Sequence, residues 1–254
     1  MESIASELGS NSEFIASELG SNRESKQNIE KKEAALAALE YIPDGAIVGI
    51  GTGSTVNYLV EHLLTIKHKI KGTVASSIKS AELLRFHNIP VFELDEVDKI
   101  DVYIDGADAI HHDNYLIKGG GGALTREKIL ASASNKFICI VDSSKYNVNK
   151  FGLFPLPIEV IPMAKNHVIN QIKKLAEYKT NSSIVIREKF ITDNSNIILD
   201  VHNLNLNDLH GLEIKLNNIP GIVCNGIFAL NSPNYILIGK YENNKTFIKK
   251  LISK

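Results

Sequence analysis

The sequence contains no tryptophan, only two cysteines, and no run that approaches the roughly 18 uninterrupted apolar residues of a membrane helix. Its 28 basic and 29 acidic side chains leave a formal net charge of −1, which argues against a protein that coats nucleic acid or a membrane surface. A hydrophobic fraction of 44% excludes disorder over the whole chain. The acidic N-terminal residues Met1–Ser10 lack the apolar core of a secretory signal. These absences predict a soluble, cytoplasmic protein whose 254 residues form one or two domains.

The first 24 residues differ in composition from the rest of the chain. The octamer IASELGSN occurs at Ile4–Asn11 and again at Ile15–Asn22. Two short polar copies cannot form a repeat fold, which needs about three or more longer units. We interpret residues 1–24 as a disordered leader, either a natural low-complexity extension or a scar of recombinant expression.

Beyond the leader, apolar strands alternate with helical patterns, which predicts a Rossmann-like, mainly parallel α/β sheet covered by helices. From about residue 155 the order becomes β-α-β-β-α-β, the split βαβ or ferredoxin-like arrangement. The predicted strands are Ala46–Ile50, Thr73–Ser77, Val91–Leu94, Asp101–Asp105, Phe137–Asp142, Pro157–Ile161, Ser183–Arg187, Asn196–Val201, Gly221–Ala229 and Tyr235–Gly239. The predicted helices are Ile29–Tyr41, Val56–Ile70, Leu124–Ser134, Met163–Tyr178, Asn207–Leu216 and Thr246–Ile252. We therefore expect a catalytic α/β domain at 25–154 plus 232–254, with a smaller ferredoxin-like α+β domain inserted at 155–231.

Three loops follow predicted strands, and in a doubly wound sheet such loops meet at the crevice where ligands bind. The first is GIGTGST at 49–55. Its glycines let the backbone approach a ligand, and the following helix start offers N–H groups to an anion. This predicts a phosphate cradle, although a tight turn with Ser54 or Thr55 as the helix N-cap fits equally well. Ser54 stands where the dinucleotide fingerprint needs a third glycine, and no lysine follows as in nucleoside triphosphatases.

The second loop carries two carboxylates, Asp105 and Asp108, after an apolar strand. Paired carboxylates can divide the roles of acid and base, or ligate a hard cation such as Mg²⁺. Taken alone, the Asp-Gly sequence is more simply explained as a turn.

The third loop is Lys118 followed by four glycines, 119–122, before a helix whose first turns contain Glu127. Four consecutive glycines are costly in backbone entropy and make sense if a ligand lies against the backbone. A glutamate near a helix N-terminus also stabilises the helix dipole, which explains Glu127 but not the glycine run.

Two other features are assigned structural roles. Cys139 and Cys224 each lie in an apolar run, so we expect buried free thiols rather than a nucleophile. His111-His112-Asp113 has the residue types of a metal site. Adjacent side chains in a polar turn are expected to point in different directions, and no fourth ligand is apparent, so we interpret this segment as a solvated loop.

In combination, these loops resemble ribose-5-phosphate isomerases of the A type. The resemblance extends from about Asn28 to the C-terminus and rests on GIGTGSTV (49–56), DVYIDGADAI (101–110), IKGGGGALTREKI (117–129), ICIVDSSK (138–145) and PLPIEVIPMA (155–164). It implies isomerisation of ribose 5-phosphate to ribulose 5-phosphate, in the non-oxidative pentose phosphate pathway, with neither a metal nor a nucleotide cofactor. It also implies a sugar phosphate as the partner, no nucleic acid or membrane, and a homo-oligomer, either a dimer or a tetramer.

The resemblance implies a role for each site residue. Glu127 would be the base that moves a proton between C2 and C1 through an enediolate. Asp105 and Asp108 would handle ring opening and hydroxyl protons, and Lys118 with backbone N–H groups would steady the negative oxygen. The implied substrate contacts are Thr52, Gly53, Ser54, Thr55, Gly106, Ala107, Gly119, Gly120, Gly121, Lys145 and Lys31, the last as a phosphate ligand.

The sequence departs from the family at two positions: Ala109, where an acidic residue is more common, and Gly122, where alanine is more common. Neither removes a catalytic group, although the extra glycine is expected to loosen the loop. Two other functions use the same fold: a sugar-phosphate sensor without turnover, and acyl transfer with Glu127 as the nucleophile. The leader has no DNA-binding character and nothing indicates a coenzyme A site, so the isomerase is favoured.

Overall fold

The computed structural model describes residues 25–146 and 154–252, so the predicted leader lies outside the described residues. The helices are α1 (Lys26–Ala38), α2 (Ser54–Leu63), α3 (Ile78–Phe86), α4 (Leu124–Ala133), α5 (Lys165–Ile172) and α6 (Leu209–Asn217). The strands are β1 (Ile47–Ile50), β2 (Gly72–Ala75), β3 (Val102–Asp105), β4 (Ala109–Ile110), β5 (Leu116–Ile117), β6 (Phe137–Asp142), β7 (Leu156–Val160), β8 (Ser183–Ile186), β9 (Ile197–His202), β10 (Ile222–Asn225), β11 (Ile227–Phe228), β12 (Tyr235–Glu242) and β13 (Lys245–Ile252). Within the described ranges, no helix is long and apolar enough to span a membrane.

A mainly parallel sheet forms the centre of the fold, with the strand order β13-β12-β6-β3-β1-β2. Only β13 runs antiparallel, at one edge. Successive side chains along its buried strands point into two different cores, one on each face of the sheet. Ile138 and Ile140 of β6 pack with α1 and α2, whereas Cys139 of the same strand faces the core that includes Leu130 of α4. Helices on both faces of a parallel sheet are the predicted α/β class, which is confirmed.

The chain from β7 to β10 forms a second, antiparallel sheet in the order β10-β7-β9-β8. Its elements follow the predicted order β-α-β-β-α-β, with α5 and α6 as the helices. Its core also takes in Ala109 and Ile117 of the first region, and a small sheet, β11-β5-β4, joins the two regions. The predicted domain boundaries, 25–154 plus 232–254 and 155–231, stay a prediction.

The predicted C-terminal helix at Thr246–Ile252 is wrong, because this segment is strand β13 and pairs with β12 along its whole length. Asn243 and Asn244, which join the two strands, both have positive φ. Two positive-φ residues between paired strands are typical of a tight β-hairpin, and asparagine is among the residues that tolerate this conformation. The turn chemistry, rather than the lysine-rich pattern after it, determines the structure here.

Two other predicted strands differ from the structure. Val91–Leu94 forms only an isolated bridge between Val91 and Thr73, followed by a 3₁₀ turn at Leu94–Glu96. The predicted strand Gly221–Ala229 is divided into β10 and β11, which belong to different sheets. The predicted helices Val56–Ile70 and Met163–Tyr178 are shorter than expected, ending as α2 and α5 at Leu63 and Ile172.

The first helix lies unusually close to β12. A Cβ atom at Gly239 would stand 1.8 Å from the carbonyl oxygen of Glu30 in α1, so only glycine fits between the strand and the helix. We expect Gly239→Ala to lower the free energy of unfolding by at least the ~1–3 kcal/mol typical of an overpacked core. Urea unfolding measures this loss, with Lys240→Ala on the same strand as the control. Equal stability of the two variants would contradict the close packing of α1.

Candidate active site

The three predicted loops meet at one cavity of about 150 Å³. Its lining contains every residue predicted for the site except Asp105, which lies beneath the surface and is fully buried. The lining residues are Lys31, Thr52, Gly53, Ser54, Thr55, Gly106, Ala107, Asp108, Lys118, Gly119, Gly120, Gly121, Glu127 and Lys145. The structure therefore brings together groups that are up to 114 positions apart in the sequence, from Lys31 to Lys145.

The first loop presents the start of α2 to the cavity. Gly53 occupies the N-cap position with φ 125°, and no side chain caps the helix. The alternative in which Ser54 or Thr55 serves as the N-cap is therefore wrong, because both residues lie inside the helix. The first N–H groups of a helix have no intrahelical partner. Uncapped, they leave an anion site where Ser54 and Thr55 line the cavity.

Asp105 is the last residue of β3, and both oxygens of its carboxylate have hydrogen-bond donors. Oδ1 accepts from the N–H groups of Thr52 (3.0 Å) and Gly106 (2.7 Å). Oδ2 accepts from the hydroxyl of Tyr103 and lies 2.8 Å from Lys118 Nζ. Four donors therefore hold this buried carboxylate in one orientation. Asp105 is thus placed to hold its neighbours rather than to contact a ligand.

Lys118 is 2% exposed, and its ammonium is held by three oxygen atoms. Nζ donates to the carbonyl of Gly106 (2.6 Å) and forms ion pairs with Asp105 (2.8 Å) and Glu127 (3.1 Å). Burial by itself lowers the pKa of this ammonium, but the charges of Asp105 and Glu127 outweigh burial and raise it well above the usual lysine value. Lys118 is a fixed positive charge.

Glu127 lies in the first turn of α4 and is 4% exposed. Its Oε2 has no hydrogen-bond partner of good geometry among the described residues, although the ion pair with Lys118 is near. Burial and the charge of Asp105 raise the pKa of Glu127 to about 8, against the opposing effect of Lys118. A cavity-lining carboxyl group that titrates near neutral pH is suited to accept and return a proton.

Asp108 differs from Asp105 because it lines the cavity. Its Oδ2 accepts from the N–H of Gly120 (2.7 Å), which ties the second loop to the glycine run. Gly119, Gly120 and Gly121 line the cavity, as the glycine run predicts, but Gly122 does not. The fourth glycine therefore has another purpose.

Lys31 and Lys145, the two other lysines of the cavity, are both positioned by one buried carboxylate, that of Glu30 in α1. Its Oε2 accepts from the N–H (3.0 Å) and the hydroxyl (2.7 Å) of Ser143, and its Oε1 accepts from the N–H of Tyr241 (3.0 Å). Ser143 begins the 3₁₀ turn that carries Lys145, and Lys31 follows Glu30 directly. The backbone segments that carry Lys31 and Lys145 are thus joined to each other and to β12 through Glu30.

Three side chains that support the cavity are not among the residues predicted from the sequence: Tyr103, Arg187 and Phe190. The contact of Tyr103 with Asp105 could have been found from the sequence, since residues two apart on a strand lie on the same face and Tyr103 is two residues before Asp105. Arg187 donates to the carbonyls of Gly119 and Gly120 from 67 or 68 positions away, and no local pattern indicates such a contact.

The segment His111-His112-Asp113 differs from its predicted form. His111 is buried, and the potential ligand atoms of the three residues all lie within 4.8 Å of one another, so the side chains converge. Asp113 Oδ2 lies 3.4 Å from a ring nitrogen of each histidine. The two thiols agree with prediction: both are free and buried, and burial raises the pKa of Cys139 to about 12, which disfavours a nucleophile.

Comparisons with known proteins agree with one another. The family model of ribose 5-phosphate isomerase A (phosphoriboisomerase A) matches residues 72–243. The crystal structure of ribose 5-phosphate isomerase A from Neisseria gonorrhoeae is 41% identical, with a TM-score of 0.82 over 91% of this chain and 100% of that chain. The Plasmodium falciparum ribose 5-phosphate isomerase is 35% identical, with a TM-score of 0.80 over 88% and 98%. A D-ribose-5-phosphate isomerase in complex with phospho-erythronic acid is 38% identical, with a TM-score of 0.78 over 87% and 97%.

Gly122 is required by the side chain of Phe190. It has φ +81°, and a Cβ atom there would lie 2.1 Å from Cζ of the Phe190 ring. The extra glycine therefore makes room for this ring, which is a different outcome from the loosened loop that we expected.

We expect Gly122→Ala to lower the free energy of unfolding by about 2–4 kcal/mol, the sum of overpacking and a left-handed backbone. In a Phe190→Ala background the same change should cost less, because only the backbone strain remains. Urea unfolding of the four variants measures the difference. Gly121→Ala, where a Cβ meets nothing within 4 Å, is the stability control. Equal losses in both backgrounds would show that Phe190 does not set this requirement.

Proposed function

The chain belongs to the ribose 5-phosphate isomerase A family, a family of aldose–ketose isomerases, and on that premise we propose that it interconverts ribose 5-phosphate and ribulose 5-phosphate through an enediolate. The observation that carries this proposal is the buried Glu127 carboxyl group, which lines the cavity and lies 3.1 Å from Lys118, and whose pKa is raised to about 8 by burial and by Asp105. A relative 38% identical to this chain was solved with phospho-erythronic acid, a phosphorylated sugar acid, which supports a sugar phosphate as the ligand.

In the proposed reaction Glu127 accepts the proton from C2 of the open-chain aldose. The aldehyde oxygen gains a proton as the electrons move, and the hydroxyl on C2 loses one. Glu127 then returns its proton to C1, which leaves the ketose. A positioned base typically contributes ~10²–10⁴-fold to such a rate.

The negative charge that develops on oxygen is stabilised by Lys118 and by backbone N–H groups of the glycine run. Preorganised donors in a buried site are usually the largest single contribution to a reaction of this kind. The close partners of Lys118, at 2.6–3.1 Å, fix its ammonium before the substrate arrives.

The two aspartates have different proposed roles. Asp108 lines the cavity and therefore handles ring opening and hydroxyl protons. Asp105 is fully buried and already accepts from Thr52, Gly106 and Tyr103, so it acts through Lys118 and Glu127. This assignment modifies the role that the resemblance gives to Asp105.

The phosphate group is proposed to bind at the uncapped start of α2, with the hydroxyls of Ser54 and Thr55 and the ammonium groups of Lys31 and Lys145. A phosphate held away from the reacting carbons supplies binding energy that orients them. Family membership supports a place in the non-oxidative pentose phosphate pathway, in the cytoplasm. Family membership is likewise the ground for proposing a homo-oligomer, either a dimer or a tetramer.

We expect Glu127→Gln to reduce turnover of ribose 5-phosphate by ~10²-fold or more, because the amide cannot accept a proton. Binding of phospho-erythronic acid, measured by calorimetry, should stay within a few-fold of wild type. Glu61→Gln, on the exposed face of α2, is the matched control. A Glu127→Gln enzyme with nearly wild-type turnover would show that the base is another residue.

Ketose formation from ribose 5-phosphate, followed with and without a chelator, tests the activity itself. We expect ketose in both samples, since Lys118 supplies the positive charge that the reaction needs. Binding of the sugar phosphate without any ketose would overturn the proposal in favour of a sensor. Activity that disappears with the chelator would require a metal.

The pH profile of kcat/KM should show an acidic limb near pH 8. Glu127 must be deprotonated to act, and its pKa is raised to about 8, so kcat/KM should fall about tenfold per pH unit below that value. Asp105→Asn removes a negative charge that raises this pKa, so the limb should move to lower pH. Asp44→Asn, at an exposed position, should not move it. A limb unchanged in Asp105→Asn would contradict the coupling of the two carboxylates.

A further inference from the structure

The guanidinium group of Arg187, just after β8, is held in one orientation by Asp200 of the neighbouring strand β9. Nε donates to Oδ2 (2.8 Å) and Nη2 donates to Oδ1 (2.5 Å), and both side chains are largely buried. This two-bond pairing fixes the plane of the guanidinium group as well as its position. The remaining nitrogen, Nη1, points out of the second sheet.

Nη1 of Arg187 donates to two successive carbonyls of the glycine run, Gly119 (3.2 Å) and Gly120 (3.0 Å). In a trans peptide the C=O and the N–H point in opposite directions, and the described residues contain no cis peptide. Holding these two oxygens on one side therefore turns the N–H groups of Gly120 and Gly121 to the other side. Consistent with this, the N–H of Gly120 donates to Asp108, which lines the cavity.

We propose that Arg187 and Asp200 form a positioning pair that orients the peptides of the glycine run, so that the N–H of Gly121 is aimed at the oxygen that becomes negative during isomerisation while the N–H of Gly120 holds Asp108. This inference rests on the proposed function and adds two residues of the second sheet to it. Arg187 is not part of the cavity lining, so it acts through the peptide groups and not by contact with the substrate. Its positive charge on the carbonyls also polarises these peptides and strengthens their N–H donors.

A purely structural role for the same contacts has a different signature. Arg187 could hold the loop to the second sheet, and its loss would then lower stability while turnover per folded molecule stays unchanged. A positioning role predicts a loss in kcat, because donors aimed at a developing charge act more strongly in the transition state than in the ground state.

The test is Arg187→Gln, assayed as the full chain with ribose 5-phosphate. We expect kcat to fall by about tenfold to a hundredfold, less than the ~10²–10³-fold loss of an oxyanion donor removed outright, with KM within about threefold. Phospho-erythronic acid carries a carboxylate where the enediolate carries its oxygens. Its Kd should therefore weaken by a factor similar to the loss in kcat.

Arg126→Gln is the matched control. Arg126 donates to Asn194 Oδ1 (2.9 Å) and to the carbonyl of Asp193 (3.0 Å), so it also joins α4 to the second region but does not contact the glycine run. We expect its kcat to stay within about twofold of wild type. Arg187→Lys keeps the charge but loses the two-bond geometry, so it should recover only part of the lost kcat.

Asp200→Asn provides a second route to the same result, since it keeps the size of the side chain and weakens the hold on the guanidinium group. It should lower kcat in the same direction, and the double variant should be no worse than Arg187→Gln alone. If Arg187→Gln is unfolded at the assay temperature, Asp200→Asn carries the test with the same readouts.

Variants that lose stability but keep wild-type kcat and wild-type phospho-erythronic acid binding would overturn the positioning role. A wild-type protein that forms no ketose would instead overturn the proposed function.

Discussion

The site depends on one buried ammonium group, that of Lys118, placed between the carboxylates of Asp105 and Glu127. An isolated charge in a protein interior is very costly, so Lys118 is stable only because both carboxylates and the carbonyl of Gly106 surround it. Burial of Glu127, together with the negative charge of Asp105, raises the pKa of this carboxyl group against the opposing effect of Lys118, so that it holds its proton more tightly. The same arrangement that stabilises Lys118 therefore brings the pKa of Glu127 to the range in which a carboxyl group exchanges protons readily.

The glycine run and the first turns of α4 are held in place by residues of the second region of the chain. The buried carboxylate of Glu159, in β7, accepts from the hydroxyl of Thr125 near the start of α4. Glu213, in α6, forms an ion pair with Lys128, the residue after Glu127. Together with Arg187 on the glycine run, these contacts place a polar partner from the second region on both sides of Glu127, the proposed base. The second region is thus part of the active site although it lines none of the cavity.

The three loops on the cavity could be predicted because their signals are local: a glycine run, a carboxylate after a strand, and a glutamate at a helix start. Lys31 and Lys145 have no such signal and were implied only by the resemblance to the family. Arg187 and Phe190, which support the cavity, could not be predicted, because their partners are distant in the sequence. Arg187 has a partner 67 positions away, and a lone arginine after a strand has no distinctive pattern. The error at Thr246–Ile252 has a local cause, since the two asparagines before it form the tight turn that makes this segment a strand. Gly122 was interpreted as flexibility because the ring of Phe190, which requires it, comes from the other region.

A raised pKa at Glu127 also has a consequence for stability. The folded chain binds this proton more tightly than the unfolded chain does, so the contribution of Glu127 to stability decreases as pH rises from about 4.5 to about 8. Above that range Glu127 is ionised in the folded protein, and its burial then lowers the stability of the fold relative to low pH. The contacts from Glu159, Glu213 and Arg187 hold this segment in place from the second region. Glu159 and Glu213 lie outside the cavity lining, so their contacts can stabilise this segment without touching a bound ligand, whereas Arg187 is proposed also to orient the peptides of the glycine run.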